Sequence, residues 1–452
     1  MLAAIGFITV IAMLVLIMTK KLTPTVALIL VPFIAGIIAS FFIVTDPENA
    51  PGVVNALANI KSLGAYIVGD SGMKSVAATG VMFIFSVLFF SMMSDAGAFK
   101  PIINGVLKVV GVDPVKICIG TVAIGCVCHL DGSGATTFLI AIPALLPLYD
   151  ALGMKRTTLA TLVALAAGTM NILPWGGPTI RAATAAGVDV MTLFSPMLIP
   201  VLAGLTMVIV IAIILGKKEK AALGIITVES VAAAEDNMSD EEKALLRPKL
   251  FWVNLLIIVL TIVALVKSGF NPAVVFMIAF CVGMLVNYPN IAIQKKIVNM
   301  HAQSALMMAS VLFAAGAFIG IMKGTGMISA MASALVSVIP ASMGHFFPLI
   351  VGIIAMPASL LFDPDSFYYG VLPVLMETGS SFGVTNLDIA RAAITGQMTL
   401  GFPVSPLTPA TFLLMGLAGV ELGEHQKHTL PWAWLVSIVI LVVAIVVGAI
   451  TI

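Results

Sequence analysis

The sequence predicts an all-α polytopic membrane protein made of two inverted repeats, each with about five transmembrane helices, one re-entrant hairpin and one broken helix. Three observations lead there. Of 452 residues, 60% are hydrophobic and 10% charged, and a mean hydropathy of +1.16 describes a chain that leaves water for a bilayer. Apolar stretches of spanning length recur from end to end. Each half also carries one apolar segment opened by a proline-bracketed polar break, Pro174-Trp-Gly-Gly-Pro178-Thr179 and Pro403-Val-Ser-Pro406-Leu-Thr408, 229 residues apart (403 − 174). Proline gives no helical N–H and clashes with the preceding turn, so each segment opens there and frees backbone groups for a ligand or ion. Paired discontinuous helices in two halves are the pattern of a secondary transporter.

Hydropathy places spanning helices near 2–18, 24–44, 76–97, 157–187 and 194–216, and then near 250–267, 271–286, 303–325, 386–420 and 429–452. The first has no basic residue ahead of it and Lys20-Lys21 behind it, the wrong charge order for a cleaved signal peptide, so it is expected to persist as a helix. The segments 157–187 and 386–420 contain the breaks. Two further apolar stretches, 114–150 and 345–380, are cut at their centres by His129-Leu-Asp-Gly-Ser-Gly-Ala-Thr-Thr137 and Asp363-Pro-Asp-Ser366. Arms of roughly 15 residues reach about 22 Å, short of the roughly 30 Å hydrocarbon core, so both stretches are expected to be re-entrant hairpins with tips near the midplane. One polar segment divides the chain into a first repeat at 1–216, a cytoplasmic linker at 217–249 and a second repeat at 250–452. Within it, Ser239-Asp-Glu-Glu242 has the spacing of a capping box for a short helix. Trp252, Trp432 and Trp434 open predicted helices and read as interfacial anchors.

The halves match beyond their breaks. Gly97 aligns with Gly326 and Thr179 with Thr408 at the same offset of 229, whereas Pro24 and Pro272 are 248 apart, which requires about 19 extra residues in the first half, most simply in 45–75. Five crossings are an odd number, so the second half enters from the opposite side and the repeats are inverted. Charge agrees. With the Lys20-Lys21 turn in the cytoplasm, 16 of the 22 basic residues fall inside and six outside (Lys61, Lys74, Arg181, Lys267, Lys323 and Arg391), as the positive-inside rule requires. The expected location is a cell membrane of the bacterial cytoplasmic type, crossed many times, with both termini extracytoplasmic. A net charge of +1 offers nothing to a nucleic acid, and Cys118, Cys126, Cys128 and Cys281 lie inside apolar runs as structural thiols rather than disulfides.

Ionisable groups at bilayer depth are costly and mark a substrate or ion path. Asp131, Asp363 and Asp365 stand at the tips, and His129 and Arg181 lie close to tip and break; the acids and His129 are the candidates for a metal ion or a coupling proton. Hydroxyls and amides at Ser133, Thr136, Thr137, Asn171, Thr179, Ser366, Ser405 and Thr408, with glycines at Gly134, Gly176 and Gly177 that let backbone amides approach, are candidates for contact with a substrate, as is Arg181. Helices restarting after each tip present N–H groups to an anion, and helices ending there present carbonyls to a cation. Each residue has a structural reading too. Asp131 and the Asp363-Pro-Asp365 turn are placed to cap helices, His129 to serve as a satisfied core histidine, and Trp175 either to floor a pocket or to fill the gap. Glu377 and Arg391 are either mouth charges or solvated ones. Cys126-Val-Cys128-His129 fits no standard zinc or haem spacing.

An intramembrane hydrolase is disfavoured. His129, Asp131 and Ser133 at i, i+2 and i+4 of a loop have no fixed triad geometry, and no Walker loop or His-Glu-x-x-His string occurs. The expectation is a transporter, not an enzyme.

Met1-Leu-Ala-Ala-Ile-Gly with Leu16-Ile-Met-Thr-Lys-Lys, His129-Leu-Asp-Gly-Ser-Gly-Ala-Thr-Thr, Asn171-Ile-Leu-Pro-Trp-Gly-Gly-Pro-Thr, Phe362-Asp-Pro-Asp-Ser-Phe-Tyr-Tyr-Gly-Val-Leu-Pro and Ser405-Pro-Leu-Thr-Pro-Ala-Thr together resemble the citrate-metal:proton symporters of the ion transporter superfamily. The resemblance covers essentially the whole chain and is most specific at the two proline-bracketed strings. It implies proton-driven uptake of citrate complexed with Mg²⁺, Ca²⁺ or a related divalent ion, the metal travelling as part of the substrate and no cofactor being tightly bound. It implies homodimers among membrane lipids, in which a hairpin-bearing transport domain moves against a scaffold. It also implies an aspartate where Ser133 stands, so this tip has one acid fewer. On that reading Ser133, Thr136, Thr137, Asn171, Thr179 and Thr408 contact carboxylates and hydroxyl, Arg181 pairs with charge, and Asp131, Asp363 or Asp365 takes the metal or proton. The alternative is a sodium-coupled di- or tricarboxylate carrier of the free anion, since carbonyls at the breaks suit Na⁺ equally.

Overall fold

Capped prolines set the helix starts. Pro24, Pro114 and Pro272 each occupy a first helical position, where a missing N–H costs nothing, and the residue before each (Thr23, Asp113, Asn271) accepts from a first-turn amide through its side chain. The computed structural model describes residues 1–19, 21–43, 53–99, 113–223, 240–267, 270–337 and 343–452, with 101, 105 and 111. Among them regular structure is helical throughout and no strand occurs. Lys20, Lys100, Lys108 and residues 224–239 of the 217–249 linker, including Ser239 of the expected capping box, lie outside the described residues.

The first half comprises α1 (Leu2–Met18), α2 (Pro24–Ser40), α3 (Val53–Val68), α4 (Met73–Asp95), α5 (Pro114–Cys128), α6 (Gly134–Leu152), α7 (Arg156–Met170), α8 (Gly177–Ala186), α9 (Val190–Phe194) and α10 (Leu198–Leu223). After α11 (Asp240–Leu245), the second half comprises α12 (Phe251–Lys267), α13 (Pro272–Asn287), α14 (Ile291–Gly324), α15 (Met327–Val336), α16 (Phe347–Ala358), α17 (Leu372–Ser381), α18 (Asn386–Ile394), α19 (Pro409–Ala418) and α20 (Leu422–Val446). The two stretches expected as hairpins each fold as helix, turn and helix, α5–α6 and α16–α17, and the two proline-bracketed strings fall in the gaps α7–α8 and α18–α19. Glycines with left-handed backbones recur at matching points, Gly97 and Gly326 (φ 76° and 75°), Gly153 and Gly383 (70° and 81°), and Gly187 and Gly419 (68° and 66°).

Four local differences from the sequence expectation have physical reasons. The 45–75 stretch holds a helix, α3, whose Asn59 Nδ2 bonds the carbonyls of Ser40 and Ile43 and whose Leu63 is fully buried. α14 starts at Ile291 rather than 303, because Asn290 caps it and the polar residues Lys295, Asn299 and Gln303 sit on an exposed side that hydropathy penalises. α15, at 10 residues, is too short to register as a span. α20 begins at Leu422, so Trp432 and Trp434 lie well inside a helix rather than opening one; Lys218 sits over the Trp432 ring at 5.9 Å and Trp434 Nε1 donates to Ile353 O at 2.9 Å. The return arm of the second hairpin opens with a π-helical turn at Ser366–Val371. Pro373 follows, and the wider turn accommodates a residue that offers no N–H to the preceding turn.

Seven stretches among the described residues are long and apolar enough to cross a bilayer, including Val190–Leu223 and Leu422–Val446. Helices α2, α12 and α13 expose Phe33, Leu256 and Ile278 outward, whereas every residue from Thr157 to Met170 of α7 is buried. A helix buried all round sits at the centre, and one with an apolar exposed side faces lipid. Packing sorts the helices into two sets. α1–α4 pack with α12–α15, chiefly through α4 and α14, while α5–α10 pack with α16–α20, chiefly through α5, α7, α10 and α20. The sets meet where α15 touches α17, where α1 touches the π turn, and where α4 and α14 touch α8.

Candidate functional site

The first tip is a self-bonded turn. α5 ends at Cys128, a single 3₁₀ turn covers His129–Asp131, and Gly132 reverses the chain at φ 72°. Ser133 is the N-cap of α6 and accepts from Thr136 N at 3.3 Å and Thr136 Oγ1 at 3.0 Å. Asp131 Oδ1 takes the Ser133 amide at 2.8 Å, so its carboxylate, rather than an arriving anion, meets the first free N–H of the restarting helix. Thr137 Oγ1 donates to Ser133 O at 2.7 Å and touches His129 Nδ1 at 2.8 Å. Gly134 is required here because a Cβ would lie 2.6 Å from the Phe402 ring of the second break.

The second tip is built likewise. Asp363 Oδ1 accepts from the amides of Asp365 and Ser366 at 3.1 Å each, and its other oxygen accepts a short bond from Ser366 Oγ. Asp365 instead turns to the opposite half, where Arg181 Nε donates to its Oδ1 at 2.7 Å, with both residues 8% exposed. Gly177 allows this, since a Cβ there would sit 2.8 Å from Arg181 Nη1. A buried pair cancels its own charge, and neither member is left to attract a second ion at full strength.

The breaks are stitched together as well. Asn171, at the end of α7, donates through Nδ2 to Met398 O at 3.0 Å, and Thr179 Oγ1 closes the first break on Ile172 O at 2.8 Å. In the second break Thr408 Oγ1 donates to Phe402 O at 2.7 Å, and Ser405 Oγ to Ser359 O at 2.5 Å. Met398 has a left-handed backbone, φ 50°, rare for a side chain of its size. His425 Nε2 and Gln426 Nε2, from the first turns of α20, bond the carbonyls of Pro403 and Val404 at 2.9 Å each, which spends two of the groups freed by the break.

The structure therefore ties the first break to the first tip through Trp175 and Leu130, to the second tip through Arg181 and Asp365, and to the second break through Asn171 and Met398. Asp131, Ser133, Thr136 and Asp363 are half-buried, and most of the hydroxyls serve local turns. Trp175 fills the gap: its Nε1 donates to Leu130 O at 2.7 Å and its ring packs on Phe90 (5.3 Å) and Phe276 (5.9 Å). Arg391 caps carbonyls of Thr192, Leu193 and Ala449, and Glu377 accepts from Ser329. All four cysteines are free. Among the described residues, no group of three or more His, Cys, Asp or Glu is placed to hold a metal ion. Residues missed from sequence are Ser359, which holds Met398 N at 2.8 Å, and Gln397, whose carbonyl takes Tyr368 Oη at 2.6 Å. Neither sits in a proline-rich string, so no local signal marked them.

Comparison with known proteins agrees with this architecture. The solved transporters YdaH from Alcanivorax borkumensis (TM-score 0.64, 14% identity, 94% of this chain and 98% of that one) and MtrF from Neisseria gonorrhoeae (0.59, 13%, 92% and 93%) share the fold. Two Bacillus subtilis (strain 168) proteins match over the full length of both chains, a "Citrate transporter" at 42% identity and a "Mg(2+)/citrate complex secondary transporter" at 40%. A family model described as Citrate transporter matches residues 13–396, and the chain belongs to that family of multi-pass membrane transporters.

Proposed function

We propose that this citrate transporter imports citrate as a complex with a divalent metal ion of the Mg²⁺ or Ca²⁺ class, in symport with protons, by an elevator-type movement. The observation that carries the reading is the stitching of the first break to the rest of the centre: Asn171 to Met398, Arg181 to Asp365 and Trp175 to Leu130 tie it to the second break and to both tips, where Asp131 and Asp363 stand. Fully ionised citrate carries three negative charges and a divalent ion leaves one, which lowers the cost of reaching the bilayer midplane. Each positive charge entering with an inward potential contributes about 2.3 kcal/mol per 100 mV, so accompanying protons supply the drive. The Mg²⁺-citrate relative at 40% identity supports the choice of cargo.

In this reading the hairpin-bearing set, α5–α10 with α16–α20, moves against the other set, and the chain works as a homodimer. The repeats at 1–216 and 250–452 are inverted about the linker at 217–249, with both termini outside a bacterial cytoplasmic membrane, as the basic-residue distribution favours. Ser133, Gly134, Thr136, Thr137, Asn171, Gly176, Gly177, Thr179, Ser366, Ser405 and Thr408 line the carboxylate path. Asp131, Asp363 and His129 serve metal or proton, and the Arg181–Asp365 pair holds the two halves in register.

Uptake of labelled citrate into proteoliposomes with an inward proton gradient, varying only Mg²⁺, Ca²⁺, Na⁺ or chelator, tests it. Uptake is expected to need a divalent ion and to collapse with a protonophore; uptake that survives chelation and follows Na⁺ would sink the metal-complex mechanism. Asp131→Asn is expected to lower metal-citrate uptake at least tenfold, with yield and melting temperature unchanged. Full activity in that variant removes Asp131 from the mechanism.

A further inference from the structure

Three polar side-chain atoms around the second break have no hydrogen-bond partner among the described residues, although they are shut away from solvent: His129 Nε2, Gln397 Nε2 and Thr399 Oγ1. All three residues are 0% exposed. Leaving a buried donor or acceptor unpaired is costly, so folded proteins keep such groups chiefly where something other than their own chain completes them.

The surrounding bonds show how each end is left over. Thr137 Oγ1 gives its single hydrogen to Ser133 O, so in its contact with His129 Nδ1 it accepts from the ring, and the neutral imidazole then presents a lone pair at Nε2. The His129 ring stacks on Phe402 at 5.9 Å and 24°, which places it against the second break. Gln397 is fixed at its other end, where Oε1 accepts from Ser359 Oγ at 3.2 Å. Whichever way the amide is turned, one polar end stays unmatched. Thr399 follows Met398, which is held in its left-handed conformation from both sides, by Ser359 Oγ at its amide and Asn171 Nδ2 at its carbonyl. A strained residue fixed by its neighbours at a buried polar break is a recurrent mark of a ligand clamp.

We propose that Gln397 and Thr399 contact the transported carboxylate through these unspent ends, beside the His129 ring. The cargo is then read by neutral groups, while the Arg181 charge stays committed to Asp365. Specificity built on hydrogen bonds rejects an analogue that lacks the matching group more sharply than apolar contact does. The inference rests on the carboxylate-transport reading above and does not depend on whether the cargo carries metal.

The test uses the full chain in proteoliposomes and detergent, with citrate and Mg²⁺ as the probe. Thr399→Val removes a hydroxyl with no internal bond. It is expected to raise KM five- to fiftyfold, to shrink the citrate-induced rise in melting temperature, and to leave the melting temperature without citrate unchanged or higher. Gln397→Met is expected to raise KM similarly, and Gln397→Glu to raise it more, because a carboxylate then faces a carboxylate. KM within twofold of wild type for both Thr399→Val and Gln397→Met overturns the proposal. So does a rise in KM that follows a lowered citrate-free melting temperature in both, which packing alone explains. Wild-type uptake with and without chelator reads the metal-citrate assignment separately, and the variant comparison holds with whichever carboxylate species the wild type carries.

Discussion

Arg181→Gln is expected to abolish citrate uptake and to lower unfolding free energy by about 3–5 kcal/mol, the usual cost of leaving one member of a buried ion pair alone. Arg181 and Asp365 are both buried and joined at 2.7 Å, and they come from opposite halves of the chain. The orphaned Asp365 carboxylate would repel an anionic cargo as well as destabilise the fold. Replacing both partners, Arg181→Gln with Asp365→Asn, is expected to recover most of the stability, because two neutral side chains of similar shape can still bond each other. Denaturation in detergent micelles together with vesicle uptake separates the two effects. Recovery of stability without uptake assigns the pair a role in transport, and a single variant as stable as wild type shows that the pair does not hold the halves together.

Trp175→Ala is expected to cost about 3–5 kcal/mol, the range for truncating a well-packed aromatic. Trp175 is 5% exposed, and it ties the first tip, through Leu130 O, to Phe90 of α4 and Phe276 of α13. It therefore bridges the two packing sets, and its loss weakens their contact rather than the interior of either. Trp175→Phe keeps ring contact but not the bond to Leu130, and about 1 kcal/mol of the loss is expected to persist. Melting temperature and initial uptake rate measured on both variants check this. An unchanged melting temperature in Trp175→Ala rejects the bridging role.

Much of the architecture was readable because it is written locally. The breaks announce themselves through Pro174, Pro178, Pro403 and Pro406, the tips through an aspartate and small residues inside apolar runs, and the helix starts through Thr23-Pro24, Asp113-Pro114 and Asn271-Pro272. The first turns of α14 and α20 escaped because their exposed polar residues dilute a hydropathy window, and α3 because Asn59, Lys61 and Ser62 interrupt its apolar run. The pairing of Arg181 with Asp365 and of Asn171 with Met398 leaves no sequence trace, since 184 and 227 residues separate the partners. Gln397 and Ser359 are 38 residues apart and acquire meaning only when the second tip folds against the second break. His129 could be singled out for its position, but its lone-pair direction follows only from knowing that Thr137 donates elsewhere.

The cross-half ion pair also sets an order on biogenesis. Synthesis proceeds at roughly 5–20 residues per second, and Asp365 follows Arg181 by 184 residues, so an unpaired guanidinium waits on the order of 10–40 s before its partner exists. During that interval the α8 segment has no internal counter-charge to justify full burial. It must remain near water, lipid headgroups or the insertion machinery, and enter its final place late, when the second half arrives. The first half is thus a provisional membrane resident, and the completed centre is a product of the last stage of insertion.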